Sequence, residues 1–188
     1  MNEKEQQLLE ASIDLFAREG FWNTPTSRIA KHAGVATGTL FNYFPSKDAL
    51  IDAVYLHLKH KWSQHIMVGY PAHADVKSCL GHIWFRHIDW GVRYPTHYAL
   101  KQQLLLSDLL SAETLNRQSE ELSIIYDLIQ SGFDAGLFKA ISSEYFTNLT
   151  LAALDATVRY ALAHNLRDMA LTQLIAISFD IFWDGVTA

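Results

Sequence analysis

Apolar residues recur with the 3.6-residue period of an α-helix along the whole chain of 188 residues. Near the start Leu9, Ile13 and Phe16 follow this spacing, and near the end Leu171 and Leu174 do so. The strict alternation of apolar and polar residues that marks a half-buried strand never lasts more than a few residues. The spacing therefore predicts an all-α chain of about nine helices.

Glycine and proline divide this pattern into short N-terminal segments. Gly20 ends the first helix, and Thr24-Pro25 predicts the start of a second, with Thr24 as N-cap and Pro25 in the first helical position. Gly34 ends that second helix, and a third runs from about 37 to 44. The N-terminal part is thus predicted as three helices, with a tight turn between the second and the third.

A long helix is predicted to follow from Ser46 to about His65. The clearest linker after it is Gly69-Tyr70-Pro71. Beyond the linker, several further apolar stripes at helical spacing predict a larger C-terminal group of helices.

Cysteine content and hydropathy exclude several classes of protein. Cys79 is the single cysteine, so neither an internal disulfide nor a cysteine zinc cage is possible. The charged N-terminus lacks the apolar run of a secretory signal. Because no stretch of about 18 uncharged apolar residues occurs, we expect no membrane span and a soluble, cytoplasmic protein.

Charge is distributed unevenly along this mildly acidic chain. The formal net charge is −5, yet residues 1–65 hold seven basic and seven acidic residues. No acidic residue lies between Glu19 and Asp48, whereas Arg28, Lys31 and Lys47 do lie there. This window predicts a local electropositive surface on a chain that otherwise repels phosphate.

The second and third helices have the features of a helix-turn-helix. Ala30 and Ala33 are small enough for the two helices to cross closely, and Gly34 allows the tight turn between them. Leu40, Phe41 and Phe44 are expected in the core. The polar and small residues of the third helix then face outwards, where such a helix presents its side chains to the DNA major groove: Thr37, Gly38, Thr39, Asn42 and Tyr43.

Residues 20–50 closely resemble the DNA-binding segment of TetR-family transcriptional regulators. The resemblance is carried by Gly34-Val35, by Gly38-Thr39-Leu40-Phe41 and by Tyr43-Phe44-Pro45-Ser46-Lys47-Asp48. It implies a helix-turn-helix DNA-binding domain over residues 1–47 and a helical ligand-binding and dimerisation domain over residues 48–188. The DNA-binding residues that we predict from the pattern and the resemblance together are Thr26, Ser27, Arg28, Thr37, Gly38, Thr39, Asn42, Tyr43 and Lys47.

Among these residues, the resemblance implies phosphate contacts from Thr26, Tyr43 and Lys47, and groove contacts from the outward residues at 37, 38, 39 and 42. Three positions depart from the usual pattern of the family. Ala36 replaces the common serine cap, so Thr37 or DNA must cap the third helix. The other two departures are a phenylalanine at 41, where the family has tyrosine, and a tyrosine at 43, where it often has histidine.

The C-terminal part is rich in aromatic residues and histidine, which fits an apolar pocket with a few polar groups. The predicted effector is a small apolar or aromatic molecule, and its predicted contacts are Trp62, Ile66, Trp84, His87, Tyr98, Gln102, Tyr126 and Thr150. The last two long helices are apolar on more than one face, which predicts that they pair with a second copy of the chain.

These features together predict a homodimeric regulator, most simply a repressor, that binds palindromic operator DNA and is released by an effector. No cofactor, catalytic residue or metal site is predicted; His57 and His60 are spaced for a metal, but no third ligand is evident. Two alternatives stay open. One is an all-helical enzyme that uses pocket histidines, and the other is a dimeric adaptor that has lost operator binding.

Overall fold

The computed structural model describes residues 2–117 and 120–188, with the backbone alone at residues 120–122. Within these ranges the regular elements are helices, apart from one isolated antiparallel bridge between Phe138 and Thr187. The all-α prediction is therefore confirmed. In chain order the helices are α1 (Glu3–Glu19), α2 (Thr26–His32), α3 (Thr37–Tyr43), α4 (Lys47–Met67), α5 (Val76–Arg93), α6 (Pro95–Leu105), α7 (Ala112–Asn116), α8 (Glu120–Asp134), α9 (Ser143–Ala163) and α10 (Asp168–Val186).

The chain divides into two compact units, each made of two segments. Unit 1 consists of Met1–Lys61 and Thr96–Arg117, and unit 2 consists of Trp62–Pro95 and Gln118–Ala188. Helix α4 contributes its first part to unit 1 and its last turns to unit 2. The predicted boundary between a DNA-binding and a ligand-binding domain, at residues 47 and 48, divides the chain by function, whereas the two units are defined by contacts. The predicted boundary therefore stays a prediction.

Caps at the ends of the helices explain where α1 and α2 begin and end. Asn2 caps α1 through a capping box with Glu5, and Gly20 follows the helix with φ of 78°. The expectation for α2 was wrong by one residue, since Pro25 is the N-cap and the helix begins at Thr26. Thr24 is fully buried, and its hydroxyl donates to the Gly20 carbonyl at 2.7 Å, so it closes the preceding turn and does not cap α2.

The core of unit 1 fixes the short helices. Helix α1 packs against α2, and α2 packs against α3. A helix of seven residues is too short to be stable alone in water, so α3 depends on this packing. The apolar residues that form the core include Leu8, Phe16, Ile29, Leu40, Leu50, Val54, Leu58, Leu100 and Leu104.

Unit 2 is built around α5, which packs against α8, α9 and α10. Aromatic side chains fill much of its interior: the Trp84 ring stacks on Phe182 with 4.8 Å between centroids, and Phe138 lies 4.5 Å from Phe146. Buried polar groups in this unit are paired. Trp62 Nε1 donates to His87 Nδ1 at 3.2 Å.

Helix α10 carries many apolar residues that the single chain leaves exposed. Ile177 is 58% exposed, Ile181 is 70% exposed and Met169 is 73% exposed. By length and composition alone, α10 would be able to cross a membrane, with a mean hydropathy of 1.3 and 28% of its window buried. Asp180 and Asp184 interrupt this apolar sequence, and a helix with such a face requires cover from another apolar surface.

Candidate DNA-binding site

Helices α2 and α3 form a helix-turn-helix within unit 1. The chain turns between them at Gly34, whose φ of 70° lies in the left-handed region that glycine adopts without steric cost. The Val35 amide donates to the Ala30 carbonyl at 2.9 Å, which closes the turn. Ala30 is 1% exposed, and α2 and α3 pack against each other.

Helix α3 has one buried and one exposed side. Leu40 is fully buried and Phe44 is 5% exposed, as the sequence predicted. Phe41 is 44% exposed, so its expected place in the core was wrong. It follows Leu40 by one residue and therefore points about 100° away from the buried face.

The outward side of α3 holds the predicted groove-reading residues. Thr37, Gly38 and Asn42 are exposed, and Thr39 and Tyr43 are half-buried. A Cβ built on Gly38 meets no atom within 4 Å, so this glycine leaves open space beside the helix. Thr39 and Asn42 present short polar groups of the kind that bond to base edges.

The first turn of α3 lacks a side-chain cap. Ala36 is its N-cap residue, and within the part of the chain that the structure describes no side chain caps the first amides. Of the two ways in which the sequence allowed this end to be capped, Thr37 is not used in the structure. The first amides of α3 are therefore left without a side-chain acceptor from the cap position.

Cations around the helix-turn-helix differ in their availability. The Arg28 guanidinium lies 2.8 Å from the Glu19 carboxylate, so its charge is partly neutralised within the protein. Lys47, the first residue of α4, is half-buried and has no carboxylate within 4 Å among the described residues. Thr26 and Ser27 occupy the first turn of α2, with Ser27 exposed.

A charged cluster joins α1 to α4 in unit 1. The Glu10 carboxylate lies 3.1 Å from His57 Nε2 and 2.5 Å from Lys61 Nζ. The hydrogen bond from His57, reinforced by Lys61, lowers the pKa of Glu10 to about 2. His57 thus has a carboxylate partner, and among residues 2–117 and 120–188 no group of three or more His, Cys, Asp or Glu side chains is arranged to hold a metal ion.

The predicted effector contacts lie in both units. Tyr98 and Gln102 belong to unit 1, where the Gln102 amide donates to the Tyr98 hydroxyl at 3.4 Å. The other six belong to unit 2: Trp62 and Ile66 on α4, Trp84 and His87 on α5, Tyr126 on α8 and Thr150 on α9.

Within unit 2, the structure brings Trp62 and His87 together in one hydrogen bond, and both Trp84 and Ile66 are buried in the core. Thr150 donates to the Phe146 carbonyl in its own helix, and Tyr126 is 48% exposed. The role of these residues in binding an effector stays a prediction.

Unit 2 also has a groove of about 610 Å³ that none of these eight residues lines. Its walls are the end of α4, the following linker, the start of α5 and one side of α8. The Gly69-Tyr70-Pro71 sequence indicated a linker here, but no periodic pattern marks a groove. Its main lining residues are Met67, Tyr70, Ala74, Cys79, Asp127 and Leu128.

Comparison with known proteins gives the same interpretation of the N-terminal helices. The model of bacterial regulatory proteins of the tetR family matches residues 8–54. The HTH-type transcriptional regulator LuxR of Vibrio harveyi is 36% identical over 63 residues, which cover 34% of this chain and 31% of that protein. This chain therefore matches about a third of the length of that relative.

Two solved structures extend the similarity to the whole chain. A tetR family transcription regulator from Shewanella sp. PV-4 has a TM-score of 0.90 and 29% identity, with 100% of both chains covered. The regulator FadR from Bacillus subtilis, solved in complex with stearoyl-CoA, has a TM-score of 0.76 and 19% identity over 96% of this chain and 98% of that one. At this lower identity the likeness shows the fold alone.

The fold and the exposed side of α3 define a helix-turn-helix transcriptional regulator. The predicted resemblance is confirmed by the family match and by the Shewanella structure. Residues 8–54 match the tetR family of bacterial regulatory proteins, and over its whole length the chain is similar to a tetR family transcription regulator.

Proposed function

We propose that this protein is a ligand-responsive repressor that binds palindromic operator DNA as a homodimer and is released by a small-molecule effector. The observation that carries the proposal is the outward side of α3 next to Lys47. Short polar groups, an open glycine and a lysine with no carboxylate within 4 Å among the described residues all fall within residues 37–47, inside the segment that matches the family model.

DNA binding by this surface would divide the work between two kinds of contact. Contacts to phosphate, from Thr26, Tyr43 and Lys47, would fix the position of the protein on the duplex without reading its sequence. Ser27 and Arg28 would add to them at the start of α2. Contacts to base edges, from Thr39 and Asn42 with Thr37 and Gly38 beside them, would supply the sequence preference.

Dimerisation would cover the exposed apolar side of α9 and α10. Leu151 and Tyr160 on α9 are 44% and 52% exposed, and Ile177 and Ile181 on α10 are more exposed still. Contiguous apolar surface of this kind marks a protein interface in a soluble protein. A two-fold dimer would also present two copies of α3 to successive major grooves, which is what a palindromic site requires.

The effector would bind to the helices of the C-terminal part. An apolar body fits both the predicted aromatic contacts and the groove beside Met67 and Tyr70. The FadR structure, with bound stearoyl-CoA, provides a related fold that accepts a ligand with a long apolar chain. Release from DNA requires only that the effector binds one dimer geometry a few kcal/mol more tightly than the other.

The experiment is selection of duplexes from a pool of randomised inverted repeats, followed by affinity measurement against salt. We expect a steep negative slope of log affinity with log salt, which flattens by about one in Lys47→Ala because one phosphate contact is lost. The matched control is Lys139→Ala, which removes an exposed lysine of unit 2. Failure to enrich any duplex, even in dilute buffer without an effector, would contradict the proposal and favour an adaptor.

We expect a cytoplasmic location, since that is where a DNA-binding regulator of this family acts in a bacterial cell. The enzyme alternative has a separate test. Turnover of a candidate metabolite that is unaffected by Lys47→Ala would support it.

A further inference from the structure

The side chain of Asn2 connects the start of α1 to the end of α3. Its Oδ1 accepts from the Glu5 amide at 2.9 Å, and its Nδ2 donates to the Tyr43 hydroxyl oxygen at 3.0 Å. Glu5 completes the capping box, because its carboxylate accepts from the backbone N–H of Asn2 at 3.3 Å. The side-chain amide of Asn2 therefore caps α1 and also bonds to a tyrosine that is 41 positions away in the chain.

The capping box fixes the orientation of the Asn2 amide. A backbone N–H can only donate, so the atom that faces the Glu5 amide must be the oxygen Oδ1. The NH₂ group is then the atom that faces Tyr43. Since NH₂ has no acceptor capacity, the Tyr43 oxygen must accept this bond.

Because the Tyr43 oxygen accepts from Asn2, the Tyr43 hydroxyl can still donate its own hydrogen. A phenol O–H lies close to the plane of its ring, and Asn2 occupies one side of the oxygen. The hydrogen therefore turns to the other side. Among the residues that the structure describes, no acceptor takes it, and Tyr43 is half-buried, with its ring packed 6.4 Å from that of Phe44.

We propose that Asn2 is a positioning residue for DNA binding, which orients the Tyr43 hydroxyl so that its hydrogen is donated to a backbone phosphate of the operator. The inference rests on the proposed function, since it needs Tyr43 to face DNA. It adds a role for a residue outside the helix-turn-helix. The fixed hydroxyl binds phosphate better than a freely rotating one because its orientation is set before DNA arrives.

The matched variants separate capping from positioning. Asn2→Ser keeps an N-cap of equal quality, but it lacks the NH₂ group that reaches Tyr43. Asn2→Ala loses both functions. Tyr43→Phe removes the hydroxyl itself. The probe is the duplex selected by the wild-type protein from the pool of randomised inverted repeats, and affinity is measured by fluorescence anisotropy.

We expect Asn2→Ser to weaken binding by about three- to tenfold, because the Tyr43 hydroxyl is still present but its orientation is no longer set before DNA arrives. The N-cap of α1 is retained, so the thermal stability should fall less than in Asn2→Ala. Tyr43→Phe should weaken binding at least as much. Adding Asn2→Ser to Tyr43→Phe should cause no further loss. Duplexes in which a neutral methylphosphonate replaces one phosphate should locate the contact. At a single position the replacement should weaken binding by the wild type until Asn2→Ser, Tyr43→Phe and the wild type bind equally.

Two results would overturn the inference. One is that Asn2→Ser lowers the affinity for DNA as much in the Tyr43→Phe variant as in the wild-type protein, because Asn2 would then act by another route. The other is full affinity of Asn2→Ser while Lys47→Ala weakens binding, which would leave the DNA-binding function intact. Failure of the proposed function is distinguishable, since the wild-type protein would then select no duplex at all.

Discussion

His57 Nε2 and Glu10 Oε1 lie 3.1 Å apart and join α4 to α1. The Glu10 carboxylate is ionised at neutral pH because its pKa is lowered to about 2, first by the hydrogen bond from His57 and then by Lys61. An ionised carboxylate accepts only, so His57 Nε2 must carry the hydrogen. The pair therefore fixes both the tautomer of His57 and the contact between the two helices.

Stability should fall in acid through this cluster. The pKa of Glu10 is lower in the folded state than its ordinary 4.5, so its contribution is complete above about pH 4.5 and is lost as the pH falls towards 2. The Glu10 side chain is 40% exposed, and solvent screening limits the contribution to about 1 kcal/mol. The free energy of unfolding, measured by chemical denaturation, should fall less between pH 7 and pH 3 for Glu10→Gln than for the wild type. Asp127→Asn, an exposed carboxylate on α8, is the control; equal pH profiles for wild type and Glu10→Gln would contradict this account.

Asn42→Ala should change which base pairs are preferred and leave the fold intact. The side chain is exposed, so we expect the free energy of unfolding to stay within about 0.5 kcal/mol of the wild type. Loss of a base-edge contact should remove about 1–3 kcal/mol of discrimination at one position of each half-site. The measurement is affinity for duplexes with single base-pair changes. A uniform loss on every duplex would assign Asn42 to phosphate binding instead.

Ile181→Asp should separate the dimer. A charge in the middle of the exposed apolar side of α10 would have to be buried against the partner without a counter-ion. Analytical ultracentrifugation should show a monomer, with loss of high-affinity binding to the inverted repeat. Leu106→Asp is the control, because Leu106 is 88% exposed and lies in unit 1. A dimer that survives Ile181→Asp would locate the interface elsewhere.

Gly132→Ala should destabilise unit 2. A Cβ on Gly132 of α8 would overlap the ring of Phe138, which packs against Phe133 and Phe146 and cannot move freely. We expect a loss of about 1–3 kcal/mol in the free energy of unfolding. Gly185→Ala is the matched control, since a Cβ there meets no atom within 4 Å and alanine favours a helix. If Gly132→Ala and Gly185→Ala changed the melting temperature in the same direction, the Phe138 ring would have moved to make room for the new Cβ.

The fold and the DNA-binding segment were predictable because both depend on local pattern. The period of Leu9, Ile13 and Phe16 determines a helix face, and Gly34 determines a turn, without information about distant residues. Phe41 was misplaced because apolar character does not show which side of a short helix a residue occupies. Helices α6 and α7 were not predicted individually, and the five residues of α7 are too few to show a period.

Contacts between distant segments could not be predicted. The pairing of Arg28 with Glu19 depends on how α1 meets α2, which the sequence does not specify. The bond between Asn2 and Tyr43 is of the same kind. In the C-terminal part, aromatic content indicated a pocket, but Trp84 packs in the core and donates to Ser178. Composition alone does not distinguish the lining of a pocket from a filled interior.

The two-sided construction of α3 has a consequence for how such a protein can change. Leu40 and Phe44 hold the helix in place, while Thr37, Gly38 and Asn42 lie on the exposed side and take no part in the core. Substitutions on the exposed side therefore leave folding almost unaffected. Under the proposed function, a lineage descended from this chain is free to acquire new target sequences one residue at a time, because each intermediate is expected to fold.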